Sequence, residues 1–72
     1  MTEAVVLKVD RNKNNGFLKI SGRNRNIYFT IDGQELLPGE EPQLPEEMST
    51  VEVLELRGKK RPRAVRWRRQ DA

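Results

Sequence analysis

The sequence predicts an all-β protein, a small five-stranded antiparallel barrel with a long loop between its third and fourth strands. Three observations predict it. Apolar residues alternate with polar ones over short runs, clusters of Asn, Gly and Pro separate those runs, and prolines at 38, 42 and 45 exclude regular helix or central strand until about Ser49. Closing five short strands into a barrel removes the exposed sheet edges that invite aggregation.

The elements follow in order. Val5, Leu7 and Val9 alternate with Val6, Lys8 and Asp10 in a first strand. Asn12 to Gly16 supplies turn residues that tolerate positive φ. Phe17 to Ile20 forms the second strand, with Leu18 and Ile20 on one face and Phe17 and Lys19 on the other. After the polar loop Ser21 to Asn26, the β-branched and aromatic run Ile27 to Ile31 makes a third strand; Ile27, Phe29 and Ile31 share a face and Tyr28 and Thr30 take the other. Asp32-Gly33 ends it, one helical turn is expected over Gln34 to Leu37, and Pro38-Gly39 fits a type II turn. Val51 and Val53 alternate with Glu52 and Leu54 in a fourth strand ending near Leu56. Gly58 to Pro62 turns the chain into a fifth strand from Arg63 to Arg68.

The composition bounds the function. In 72 residues there are 18 Leu, Ile, Val and Phe, enough for one thin core in a single domain, 1–72, whose stability is a few kcal/mol. There is no Cys and no His, so a Ser-His-Asp triad, a Cys nucleophile and a zinc site of the usual ligands are all excluded. No metal or cofactor is expected, and a non-enzymatic role follows. The longest unbroken apolar run, Ala4 to Leu7, is far short of a membrane span, and Met1-Thr2-Glu3 does not begin a signal peptide. A soluble, cytoplasmic monomer is the expectation.

Charge is sorted along the chain. Residues 1–30 carry net +4, residues 31–56 carry eight acids and no Lys or Arg, and residues 57–72 carry net +7, which together make +3. Blocks of this size give a molecule with a basic and an acidic side. The densest cation run, Arg57 to Arg69, attracts phosphate at long range and with strong salt dependence.

The residues now point to a family: the chain resembles the cold-shock domain, a five-stranded barrel of the oligonucleotide-binding fold. The family's second-strand motif Lys-Gly-aromatic-Gly-Phe-Ile lines up with Lys13-Asn14-Asn15-Gly16-Phe17-Leu18, and its third-strand Val-Phe-Val-His with Ile27-Tyr28-Phe29-Thr30. Its C-terminal Gly-Pro-x-Ala pattern is similar to Arg61-Pro62-Arg63-Ala64, with Arg61 in place of a glycine. The likeness runs from about Ala4 to Trp67. It has departures: Lys8 stands at the first-strand Trp position, Asn15 replaces the first aromatic of the second-strand motif, Thr30 replaces the His, and Ile31 replaces another aromatic. The resemblance implies binding of single-stranded RNA or DNA on a reduced stacking surface, in a more electrostatic mode.

Strand alternation leads to the same face independently. Phe17 and Tyr28 are expected outward on adjacent strands as cross-strand neighbours, flat toward water, flanked by Lys8, Lys13 and Lys19, with Asn15 available to a base edge and Thr30 on the same face. Aromatic rings stack on any base while cations track phosphates, and Lys59, Lys60 and Arg61 extend the phosphate contacts. A strand phase off by one would instead make Phe17 an ordinary core aromatic. Trp67, between Arg66 and Arg68 on the opposite strand face, is expected to close the barrel.

The alternative function is a protein-interaction barrel that has lost most of its base-stacking surface, within a translation or ribonucleoprotein assembly. In that reading the acidic loop 38–50 docks a protein partner through Leu44 and Met48.

Overall fold

The computed structural model describes residues 2–70, so Met1 and Asp71, which entered the reading of the chain start and the charge count, lie outside the described residues. The strands are β1 (Thr2–Asp10), β2 (Asn15–Lys19), β3 (Ile27–Thr30), β4 (Thr50–Arg57) and β5 (Arg63–Arg69). They form a closed barrel in the order β1-β2-β3-β5-β4. Among the described residues no helix is long and apolar enough to cross a membrane.

The barrel is not wholly antiparallel. β3 and β5 run parallel through the pairs Tyr28↔Arg63 and Phe29↔Ala64, whereas the other four neighbouring pairs are antiparallel. The reason is one of parity: strand directions cannot alternate all the way around a ring of five, so at least one neighbouring pair must run the same way. The long connection between β3 and β4 makes that parallel pair reachable.

Local chemistry explains the turns. Asp10 Oδ1 accepts the Asn12 and Lys13 N–H groups at 3.0 and 3.2 Å, an Asx-type turn in which Asn14 takes the left-handed conformation at φ 58°. Pro38-Gly39 forms the expected tight turn, closed by Glu40 N–H on the Leu37 carbonyl at 3.0 Å. The helical turn, however, falls on Ile31–Gly33 rather than on Gln34 to Leu37. Gln34 is extended and bridged to Trp67, because β5 lies alongside and takes up its backbone.

The first strand changes phase. Ala4 and Val6 are buried, while Val5 and Leu7 stand partly exposed, and Val9 returns to the core side. An irregularity in the β1–β2 register between Val6 and Lys8 accommodates one extra residue, which is how a bulge moves the inward face from even to odd positions. The expected face of Val5, Leu7 and Val9 is therefore split.

The core comprises Ala4, Val6, Leu18, Ile20, Ile27, Phe29, Leu44, Val51, Val53, Ala64 and Trp67. Trp67 is wholly buried. Its ring meets Phe29 edge-on, centroids 5.2 Å apart at 79°, and its Nε1–H donates to the Thr30 carbonyl at 2.7 Å. This satisfies the one polar group that burying an indole would otherwise strand. Leu44 also enters the core, so the acidic loop folds back to cap the barrel rather than presenting Leu44 to a partner. Met48, by contrast, is 75% exposed.

At Gly16 a Cβ would lie 2.2 Å from the Lys8 carbonyl oxygen and 2.8 Å from Phe29 Cε1, so β1 and β2 meet here only because no side chain intervenes. Two outcomes are expected in urea denaturation. Gly16→Ala lowers stability by about 1–3 kcal/mol, and Trp67→Ala by about 3–5 kcal/mol, enough to unfold a domain of this size.

Candidate functional site

Phe17 and Tyr28 are direct cross-strand partners between β2 and β3. Both point outward because their strand neighbours Leu18, Ile27 and Phe29 are buried in the core. Phe17 is 41% exposed and Tyr28 half-buried. The rings are not coplanar: their centroids are 5.8 Å apart and their planes inclined at 66°. The expected pair of flat rings is thus a ridge, in which the ring planes face different directions. An edge-to-face contact places the positive edge of one ring against the negative face of the other and is favoured over a sandwich.

Asn15 sits one turn of the pleat away, paired across the strands with Thr30. Its Nδ2–H donates to the Tyr28 hydroxyl at 3.1 Å, which fixes the phenol and leaves the hydroxyl proton free to donate elsewhere. Thr30 is half-buried and its carbonyl is taken by Trp67, so it supports the site from beneath.

A groove lies on each side of the ridge. On one side Lys8, Asp10, Lys13, Asn15 and Gly16 line a concavity with Phe17 and Tyr28. On the other, Asn24, Arg25, Asn26, Lys60, Arg61, Pro62 and Arg63 line a concavity with the same two rings. Lys19 is exposed on the outer face of β2 beyond Phe17. Lys59 is exposed in the β4–β5 loop but lines neither groove.

The distribution of ion pairs separates the cations into two sets. Arg57, Arg66 and Arg68 are paired with Glu55, Glu35 and Glu52 at 2.7, 2.5 and 2.5 Å. Among the described residues, Lys8, Lys13, Lys19, Arg25, Lys60, Arg61 and Arg63 form no ion pair. Exposed pairs of the first kind add little stability, but each cancels a positive charge. The C-terminal run is therefore less basic than its composition implies; of the described cations without an ion pair, Lys8, Lys13, Arg25, Lys60, Arg61 and Arg63 line the two grooves, whereas Arg11, Lys19, Arg23, Lys59 and Arg69 do not.

Arg25 and Arg63 were not among the expected contacts. Arg63 had a legible signal, since it alternates with the inward Ala64. Arg25 had none, because its place depends on two loops meeting. No group of acidic residues among the described residues has the arrangement of a metal site.

The chain matches no protein-family model and no curated protein.

The division of charge is measurable on a phosphate-bearing ion-exchange matrix. Lys13→Gln should elute at clearly lower salt than the parent chain, with a salt slope smaller by about 0.7. Arg68→Gln should keep the parent's salt slope, because Arg68 is engaged by Glu52 and not by phosphate, although the uncovered Glu52 carboxylate lowers its elution salt through repulsion.

Proposed function

We propose that the protein binds single-stranded RNA or DNA without catalysing a reaction, through the Phe17–Tyr28 ridge and the cations beside it. One observation carries this reading. The two outward aromatic residues are register partners and lie between two grooves whose lysines and arginines form no ion pair among the described residues. A solvated surface needs no aromatic rings, and a core needs no uncancelled charge; single-strand binding needs both, rings for the bases and cations for the backbone.

The architecture supports the same reading. Oligonucleotide-binding barrels have five strands and bind across strands two and three, with the loops between strands one and two and between four and five. Here those positions hold Phe17 and Tyr28, Lys13, and Lys59 to Arg61. This is the finer fold assignment we favour, together with the resemblance to the cold-shock domain. Lys8 and Asn15 at two of that family's aromatic positions leave a surface that depends more on charge than on stacking.

A second reading has its own observation. Met48 and Leu37 are 75% and 67% exposed within the acidic connection, which suits contact with a basic protein. Gel filtration with a short oligonucleotide at moderate salt separates the two: co-elution is expected from the strand-binding module, and separate elution from the interaction barrel.

Phe17→Ala should weaken binding of a single strand by about 1–3 kcal/mol at fixed salt, measured by fluorescence anisotropy with the fold verified by circular dichroism. An unchanged affinity in the folded variant refutes the ridge as the binding surface.

A further inference from the structure

The β2–β3 loop lines the second groove through Asn24, Arg25 and Asn26, although its sequence alone does not place it there. β2 ends, and β3 and β5 begin, at the same end of the barrel, since β3 and β5 are parallel. The β2–β3 loop and the β4–β5 loop therefore emerge side by side. Arg25 Nη1–H donates to the Lys60 carbonyl, joining them, and Tyr28 N–H donates to the Pro62 carbonyl at 3.1 Å beneath that bridge.

The β4–β5 loop is itself held in shape. Gly58 has φ 94°, and a Cβ there would lie 2.6 Å from the Arg61 carbonyl oxygen, so the turn closes tightly and only glycine fits. Pro62 is buried. The tip that carries Lys60 and Arg61 is thus presented on a constrained turn. Arg63, in register with Tyr28, continues the row of positive charge onto β5. Among the described residues, no carboxylate lines the resulting groove.

We infer that Arg25 and Arg63, with Lys60 and Arg61, form a second phosphate-binding region that holds the backbone of a single strand as it leaves the aromatic ridge. This rests on the ridge being the base-binding surface. Each guanidinium offers several N–H donors in a planar fork; Arg25 uses one on the Lys60 carbonyl and keeps others for a phosphodiester oxygen. Because the loops are already joined, little conformational freedom is lost when a strand arrives. The region borders the ridge through the Tyr28–Arg63 pair, so a longer strand engages more of it than one that ends on the two rings.

The test compares thymidylate strands of about four and about twelve nucleotides by fluorescence anisotropy between 50 and 200 mM salt. The proteins are the parent chain, Arg25→Gln/Arg63→Gln, Arg63→Gln alone and Phe17→Ala. Two phosphate contacts contribute about 1.4 to the salt slope of a single strand, or about sevenfold in affinity over that fourfold range of salt. The double variant should lose that part of the slope for the longer strand and less of it for the short one, with Arg63→Gln, whose exposed side chain makes no hydrogen bond among the described residues, losing about half. An unchanged slope for the longer strand in both variants overturns the second region. If Phe17→Ala then still weakens both strands, the ridge stands without it; if Phe17→Ala weakens neither, the ridge itself falls.

Discussion

The barrel depends on closing a seam that has few contacts of its own. β3 and β5 share two residue pairs, and a backbone ladder of that length does not hold two strands together against water. Trp67 supplies what the ladder lacks. Its ring fills the interior against Phe29, and its indole N–H is bonded to the Thr30 carbonyl at the end of β3. One side chain therefore combines apolar burial with a bond that reaches across the closure. In a chain of this length, without a cysteine to form a disulfide, such an anchor carries a large share of the stability.

The same closure builds the surface. Bringing β5 beside β3 places Arg63 against Tyr28 and brings the two loops at that end within hydrogen-bonding distance. Were the seam open, the aromatic pair would remain on β2 and β3, but its flanking groove would lose one wall. Core and site are linked through the alternation of β3, where Phe29 faces Trp67 and Tyr28 faces solvent.

Charge follows a comparable logic. The acids of β4 and of the segment before it cannot cancel the whole basic content, and the fold decides which part they cancel. β4 and β5 run antiparallel with Glu52 opposite Arg68, so acids neutralise outward arginines there, and Glu35 reaches Arg66 from the connecting segment. Among the described residues, the loop cations at the other end of β5 receive no such partner. A chain of modest net charge thereby acquires a positive region beside the aromatic pair.

Much of this was legible in the residues. The five strands, the outward Phe17 and Tyr28, the buried Trp67 and the turns at Asn14 and Pro38-Gly39 all follow from period-two alternation and local turn chemistry, which act between residues a few positions apart. The bulge beside Leu7, the parallel seam, the burial of Leu44, the 66° inclination of the two rings and the meeting of Arg25 with Lys60 did not. Each of these depends on which distant segment arrives alongside, and a linear pattern of polar and apolar residues carries no record of that. Local alternation was sufficient to turn Phe17 and Tyr28 outward and to expect them side by side; ring closure, with its parity and its packing, settled which distant residues, Arg63 and Arg25 among them, join that pair.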